Sequence, residues 1–253
     1  MADWPADNIV GIPLLTPPYH NLVQEEYRGM KGIIYKEARL LIHLFTAPEE
    51  CIREFLPREL SPGSLGMMVA LVAEYPYSTL GPYKEAALFV ECQYGETAGL
   101  HTAYMYIDQL HGDHTLGADK ALVAGREILG FPKMLANIDL ITEGNHCTGT
   151  VRRRGMEIIR LEAEMTGPGE FPDLGTMINV RAFPSPDMET YSYRDICTTN
   201  LVYQPQVTSV GEGQALFPTS TEDIRKVQVG ENMATFFTVT DFCIPTGKTL
   251  AVL

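Results

Sequence analysis

The feature that most constrains the fold is a long succession of short segments rich in valine, isoleucine, leucine and aromatic residues. The clearest of them are residues 39–46, 65–75, 85–95 and 101–110. Segments bounded by glycine, proline or serine, as at 65–75 and 85–95, are typical of buried β-strands. Shorter segments of the same type continue after residue 136. Because so many strands need their edges paired or covered, we expect a mostly antiparallel sheet that is closed or nearly closed.

Only a few short helices are expected beside these strands. Residues 48–57 begin with a proline followed by acidic residues and have apolar residues at helical spacing, which predicts a short helix. Residues 116–130 are dense in alanine and leucine and fit a helix that ends near a glycine. No change of composition and no repeat divides the chain. We therefore predict an α+β fold with one domain over residues 31–253, preceded by a proline-rich, irregular arm over residues 1–30.

The net charge, the cysteines and the lengths of the apolar runs indicate which partners and which compartment to expect. The net charge is −13, which disfavours binding to nucleic acid. The five cysteines are odd in number and show no CxxC spacing, as expected for free thiols in a reducing compartment. The first residues lack the pattern of a signal peptide, and the apolar runs are too short to cross a bilayer. These observations predict a soluble, cytoplasmic protein with no membrane partner.

The segment GREILGFPK, residues 125–133, is the most informative local motif. Gly130 and Pro132 impose a turn after the predicted helix, and Lys133 leaves that turn between Phe131 and Met134. A lysine held between apolar neighbours is a candidate for desolvation. The same residues also allow a lysine whose stem lies along an apolar edge while its ammonium stays in water. The local sequence leaves both interpretations open.

GREILGFPK resembles the signature around the Schiff-base lysine of the acetoacetate decarboxylase superfamily. Further segments resemble the superfamily in the same order along the chain: YKEAR (35–39), LGPYKE (80–85), INVRAFPSPD (178–187), GEGQALF (211–217) and TDFCIPTGKTL (240–250). The resemblance implies a β-barrel or double cone enclosing a pocket, with a few short helices, in a homo-oligomer. It also implies a small keto-acid substrate and a reaction that needs neither a metal nor an organic cofactor.

The resemblance assigns three catalytic roles. Lys133 would be the amine nucleophile, and Glu85, on a loop in this interpretation, would position it or shuttle protons. Arg39 would hold Glu85 or bind the substrate carboxylate through paired hydrogen bonds. The alternatives are an ordinary loop carboxylate at 85 and a surface arginine at 39. In acetoacetate decarboxylase itself, desolvation and a nearby cation are known to activate the lysine.

Four residues are expected to line the substrate site, and two of them depart from the superfamily pattern. Phe131 and Met105 would contribute apolar surface. Met134 stands where typical decarboxylases have a second lysine, and Ala70 stands where they have another acidic residue. A lysine has an ordinary pKa of about 10.4. Without a second lysine beside Lys133, desolvation would have to cause most of the lowering of that pKa. These departures favour a larger or less polar substrate, or a different bond broken after imine formation.

Three functions remain open on the sequence. The first is decarboxylation of a β-keto acid through an imine on Lys133. The second is an aldolase-dehydratase reaction of pyruvate or another 2-oxo acid at the same lysine, and the third is non-catalytic binding of a small molecule. The motif HGDH (111–114) suggests a polar loop more than a metal site. The motifs of nucleotide binding and of serine hydrolases are missing from the sequence.

Overall fold

The computed structural model describes residues 32–109 and 121–253. The predicted N-terminal arm (1–30) and the HGDH motif (111–114) lie outside the described residues, as does the first part of the predicted helix at 116–130. The described residues contain far more strand than helix, as the sequence predicts.

The strands, in chain order, are β1 Gly32–Thr46, β2 Ser61–Pro62, β3 Met67–Tyr75, β4 Tyr77–Ser78, β5 Tyr83–Tyr94, β6 Thr97–Gln109, β7 Lys133–Leu135, β8 Asn137–Glu143, β9 His146–Arg153, β10 Met156–Pro168, β11 Thr176–Pro184, β12 Tyr191–Asn200, β13 Val202–Leu216, β14 Asn232–Pro245 and β15 Lys248–Val252. The predicted strand at 39–46 begins earlier than expected, at Gly32. The sequence does not show this extension, because polar residues follow Tyr35 and a bulge there interrupts the alternation of apolar and polar residues.

All of these strands belong to one sheet, in the order β15-β12-β11-β6-β5-β3-β1-β14-β13-β10-β9-β8, with the short strands β2, β4 and β7 attached to β5, β1 and β6. The pairs are antiparallel except that β6 runs parallel to β7 and to β11. The mostly antiparallel architecture is thus confirmed.

The sheet curls without closing, which corrects the expectation of a barrel. Its last strand, β8, lies across β3, β5 and β6 without pairing with them. Side chains satisfy its backbone instead: Ile138 N–H donates to the Asp108 carboxylate at 3.0 Å, and Lys84 donates to the Ile138 carbonyl at 3.0 Å. Because the backbone N–H and carbonyl of Ile138 already have these hydrogen-bond partners, β8 does not need to pair with another strand at this position.

The central strands separate two hydrophobic cores. Alternate residues of a strand face opposite sides of a sheet, so Leu40 and Leu71 enter the first core while Leu41 and Ala70 enter the second. The second core packs against β8, β9 and β10. Burial on both faces explains why β3 and β5 are nearly continuous apolar runs in the sequence.

The helices are short. The predicted helix at 48–57 is α1, Glu49–Phe55, which buries Cys51, Ile52 and Phe55. A π-helical segment spans Ala124–Leu129, and a 3-10 turn spans Asp223–Lys226. Within residues 32–109 and 121–253, no helix has the length and apolar character needed to cross a membrane.

The cysteines are unpaired and buried at all five positions. In the described part of the chain, no group of three or more histidine, cysteine, aspartate or glutamate side chains is arranged to hold a metal ion.

Candidate active site

The turn before Lys133 directs its side chain into the first core. The π-helical segment ends at Gly130, whose φ of 72° lies in the left-handed region that glycine adopts readily. The backbone N–H groups of Gly130 and Phe131 both donate to the Gly125 carbonyl. Lys133 then starts β7 opposite Met105 of β6, and only 5% of its surface is exposed. The predicted glycine-terminated helix end is present, and it buries this lysine.

Gly125 makes room for the lysine stem. A Cβ atom at position 125 would lie 2.5 Å from Cε and 2.6 Å from Cδ of Lys133. No real Cβ atom tolerates such contacts, so any larger residue would have to displace the lysine. π-helical turns within helices are frequent at functional sites. In this protein the π-helical turn places Gly125, which has no side chain, against Lys133.

Lys133 forms a buried pair with Glu85. Its Nζ atom lies 2.6 Å from Glu85 Oε2, and the Tyr75 hydroxyl donates to the other carboxylate oxygen at 3.0 Å. Glu85 lies within β5, not on a loop as the sequence suggested, and is 6% exposed. One strand, β6, separates the two residues: Glu85 pairs with Ile107, and Met105 pairs with Lys133. The register of three strands therefore brings Glu85 to the lysine.

Aromatic rings surround this pair. Lys133 Nζ lies 5.3 Å from the ring centroid of Tyr83 and 5.9 Å from that of Phe131. The Tyr83 hydroxyl shares a 2.8 Å hydrogen bond with the hydroxyl of Tyr35. Burial, together with the nearby Glu85 carboxylate, raises the pKa of Tyr75 and of Tyr83 well above the ordinary value. Both phenols therefore remain neutral at physiological pH, and Tyr75 acts toward Glu85 as a hydrogen-bond donor only.

A small pocket opens beside the pair. Its lining is mainly aliphatic, aromatic and thioether side chains, and among the described lining residues the carboxylate of Glu85 and the amine of Lys133 are the only charged groups. Ligand sites commonly combine an apolar lining with a few polar groups of this kind. The lining also includes Tyr75, Tyr203 and Phe242, which the sequence analysis did not single out.

Two of the four expected lining residues face the pocket. Phe131 and Met105 line it together with Lys133. Met134 follows Lys133 in β7, so its side chain points to the opposite face and packs against the second core. Ala70 is fully buried in that same core. The expectation that Met134 and Ala70 line the site is not met, because strand alternation turns both side chains away from it.

Arg39 also lies apart from the pair. Its guanidinium binds Glu74 Oε2 at 2.7 Å and the Thr142 hydroxyl at 2.9 Å, and it is not among the described pocket-lining residues. Its neighbour Leu40 does line the pocket, so Arg39 projects from the other face of β1. In this structure Arg39 holds β1, β3 and β8 together and does not contact Glu85.

The pair has a simple chemical capability. The hydrogen bond between the two side chains offers a path for the ammonium proton to move to the carboxylate. Glu85 is within hydrogen-bonding distance of Nζ to accept that proton. The transfer leaves a neutral amine, which is the nucleophilic form of lysine. Lys133 and Glu85 together can therefore present an amine lone pair to a molecule in the pocket.

Comparisons with known proteins match nearly the whole chain to one family. The family model described as acetoacetate decarboxylase (ADC) matches residues 16–252. Decarboxylase DEC1 of Cochliobolus heterostrophus is 22% identical over 223 residues, which cover 84% of this chain and 81% of that protein. The crystal structure of acetoacetate decarboxylase from Legionella pneumophila superposes with a TM-score of 0.77 at 19% identity, covering 87% of this chain and 88% of the other.

The fold is also similar to that of MppR, an enduracididine biosynthesis enzyme, in its complex with the condensation product of pyruvate and imidazole 4-carboxaldehyde. The TM-score is 0.71 at 14% identity, and the match covers 87% of this chain and 89% of MppR. These structural similarities concern the fold, whereas the family model extends over nearly the whole sequence. The chain belongs to the acetoacetate decarboxylase family.

Proposed function

We propose that the protein is a Schiff-base lyase that decarboxylates a β-keto acid through an imine on Lys133. The observation that carries this proposal is the buried Lys133–Glu85 pair, 2.6 Å apart, at an apolar pocket. Glu85 supplies one adjacent base, which the amine needs because it must lose its proton before it reacts.

The reaction begins with proton transfer from Lys133 to Glu85. The lone pair of Nζ then attacks the ketone carbon of the substrate, and the carbinolamine formed loses water to give a protonated imine. Protonated Glu85 can donate the proton that turns the departing hydroxyl into water. Tyr75 keeps one oxygen of the carboxylate oriented throughout, through its 3.0 Å hydrogen bond.

The carbon–carboxylate bond breaks next. Its electron pair moves toward the imine nitrogen, giving a neutral enamine, and carbon dioxide leaves. The enamine carbon then takes up a proton, and water hydrolyses the resulting imine to release a ketone and restore the amine. An apolar pocket favours the cleavage step, because a charged carboxylate becomes a neutral molecule where charge is poorly solvated.

The charge of the pocket favours decarboxylation over the aldolase-dehydratase alternative. A reaction of pyruvate keeps the substrate carboxylate, which proteins usually hold with an arginine or another cation. Among the described lining residues the only cationic side chain is that of Lys133 itself. Because the fold resembles that of MppR, solved with a pyruvate-derived product, the experiments also test the aldolase-dehydratase alternative.

Borohydride trapping tests the imine. The protein is incubated with acetoacetate, benzoylacetate or pyruvate and then reduced, and the adduct is located by peptide mass spectrometry. We expect a β-keto acid to label Lys133 and to leave Lys84 unlabelled, because the Lys84 amine donates to the Ile138 carbonyl on the other face of the sheet. A Lys133→Met variant should take up no adduct.

Carbon dioxide release distinguishes the alternatives. Release from a β-keto acid, lost in Lys133→Met, is the expected result. Condensation of pyruvate with an aldehyde without release of carbon dioxide would replace the decarboxylase proposal with the aldolase-dehydratase one. If no acid is trapped or turned over, while ligands still protect the protein from thermal unfolding, the non-catalytic binding function is correct.

A further inference from the structure

Side chains of β11 and β12 bind the carbonyl groups at the end of the π-helical segment. The Asn179 amide donates to the Leu129 carbonyl at 3.3 Å, and the Cys197 thiol donates to the same oxygen at 3.3 Å. The Arg181 guanidinium donates to the Glu127 carbonyl at 3.2 Å. The last carbonyls of a helix have no partner within the helix, so the sheet supplies their donors. We call Asn179, Arg181 and Cys197 the turn clamp.

Gly130 lies directly against the turn clamp. A Cβ atom at position 130 would lie 3.1 Å from Asn179 Cβ, 3.1 Å from Cys197 Sγ and 3.4 Å from Arg181 Cβ. Contacts of 3.1 Å are tighter than those that most Cβ atoms make, so the backbone before Lys133 approaches the sheet as closely as a glycine permits. Packing as well as hydrogen bonding therefore fixes the turn.

Asn179 also joins the turn to β6. Its side-chain oxygen accepts the Thr102 N–H at 3.0 Å, next to the bulge that interrupts the β5–β6 pairing. The orientation of the amide is fixed, because a backbone N–H can only donate and a carbonyl can only accept. β6 carries Met105 opposite Lys133. One buried amide thus links the turn to the strand that separates Lys133 from Glu85.

Arg181 is itself held by Asp195, which lies opposite it on β12. The buried Asp195 carboxylate accepts two hydrogen bonds from the guanidinium, at 2.6 Å and 3.1 Å. The Tyr193 and Thr249 hydroxyls donate to the same carboxylate at 2.9 Å and 3.0 Å. Paired hydrogen bonds between charged groups are strong and fix the plane of the guanidinium. Arg181 therefore reaches the Glu127 carbonyl from a fixed position.

We propose that the turn clamp consists of positioning residues that hold the Lys133 amine within reach of Glu85. None of the three side chains is among the described residues that line the pocket, so they act on the reaction only through the turn. This gives a role to the segment INVRAFPSPD (178–187), which contains both Asn179 and Arg181. The inference rests on the proposed imine chemistry at Lys133. A weakened clamp should slow the reaction of the amine and leave the binding of acids largely unchanged.

Asn179→Ala tests the clamp, and Thr198→Val is the matched control. Thr198 donates to the Met177 carbonyl at 2.9 Å, so its replacement removes a hydrogen bond of the same two strands but none to the turn. Borohydride trapping and carbon dioxide release are measured with acetoacetate or benzoylacetate, whichever the wild-type protein converts faster. We expect Asn179→Ala to lower the trapping rate and kcat at least on the order of tenfold, with KM changed only a few-fold. Thr198→Val should keep both close to wild type.

Arg181→Lys is a second test, which also serves if Asn179→Ala does not fold. An ammonium keeps the positive charge beside Asp195 but lacks the planar fork of the guanidinium, so the hydrogen bond to the Glu127 carbonyl is lost. We expect the trapping rate to fall in this variant too. If the folded variants trap as fast as Thr198→Val, the clamp has no positioning role. A large rise in KM with kcat unchanged would also overturn the proposal, because the clamp would then act on binding.

A measurement without substrate separates this inference from the proposed function. Trace acetic anhydride labels lysine amines, and peptide mass spectrometry compares Lys133 with Lys84. The Lys133 side chain is 5% exposed, so its displacement in Asn179→Ala should raise its labelling several-fold relative to Lys84. General unfolding would raise the labelling of both lysines. Thr198→Val should leave the ratio unchanged.

The clamp and the proposed function then fail in different ways. If β-keto acids are trapped and decarboxylated equally well by wild type and clamp variants, only the clamp is refuted. If the wild-type protein acts on none of them while Asn179→Ala raises the labelling of Lys133, the decarboxylase function is refuted and the positioning of the lysine stands. If neither activity nor a change in labelling is found, both are refuted.

Discussion

Gly125 lies directly against the aliphatic stem of Lys133, so that a Cβ atom at position 125 would approach Cε to 2.5 Å. The two residues belong to one short motif, and the carbonyl of Gly125 also accepts the backbone N–H groups of Gly130 and Phe131. The same glycine therefore shapes the turn and leaves space for the side chain that the turn presents. Gly125 thereby positions the Lys133 side chain.

Replacing Gly125 by alanine should displace the lysine amine. A misplacement of about 1 Å can reduce the rate on the order of 100-fold. We expect Gly125→Ala to slow imine trapping by about that factor while the protein stays folded by circular dichroism. Gly167→Ala is the control, because nothing lies within 4 Å of a Cβ at that position. Equal trapping rates in the two variants would remove Gly125 from a positioning role.

The Lys133–Glu85 pair should show strong coupling in a double-mutant cycle. Removing one member of a buried ion pair leaves the other uncompensated and costs about 3–5 kcal/mol. We expect Lys133→Met and Glu85→Gln each to lower the free energy of unfolding by an amount of that order, and the double variant to lose less than their sum. Urea denaturation measures all four proteins. Strict additivity would mean that the two side chains do not interact in the folded protein.

A lysine at position 134 should not change imine formation. The side chain of residue 134 packs against the second core, on the face of the sheet opposite the pocket. Met134→Lys therefore places a charge at a half-buried apolar site, and we expect lower stability with a trapping rate within a few-fold of wild type. Thermal unfolding and borohydride trapping measure these two effects. A large gain in trapping rate would show that a cation at 134 acts on Lys133.

His101 should make the stability of the protein sensitive to acid. Its ring is buried and Nδ1–H donates to the Ile178 carbonyl at 3.0 Å. Burial disfavours the charged ring and lowers its pKa from 6.5 to about 4. The unfolded chain binds this proton at a higher pH than the folded protein does, so the stabilisation is present above pH 6.5 and is lost as the pH falls toward 4.

Between pH 7 and pH 5 this histidine should cost about 2 kcal/mol of stability. His101→Asn keeps a hydrogen-bond donor near the position of Nδ1 and cannot ionise, so the variant should lose less stability over the same interval. Urea unfolding at both pH values measures the difference. If the acid sensitivity is the same in both proteins, other groups cause it.

Much of the fold, and the apolar surroundings of Lys133, could be predicted from the sequence. Continuous apolar runs marked β3 and β5, and the turn at Gly130 placed Lys133 among apolar neighbours. Which residues surround Lys133 depends on strand pairing instead. Glu85 reaches it only through the register of β5, β6 and β7, and a register is not visible in a single sequence.

The same reason explains the residues that were misplaced. Met134 and Ala70 each lie next to a pocket-lining residue in sequence, at Lys133 and Leu71, but a shift of one position along a strand reverses the face. Tyr75 was not singled out because a tyrosine in an apolar run is ordinary core material until its hydroxyl finds a partner. That partner is Glu85, which lies on β5, the strand that pairs with β3.

The pairing of β1 with β14 has a consequence for how the protein acquires its pocket. The Glu37 N–H donates to Asp241, 204 positions later in the chain, and Tyr35 stacks on Phe242 with ring centroids 4.2 Å apart. Contacts this distant in sequence have a high loop-closure cost and slow the folding of a domain. During synthesis β1 and β3 emerge long before the strand that completes their core. The nascent chain must therefore carry exposed aromatic surface until β14 arrives, which makes this interval the period when aggregation competes most strongly with folding.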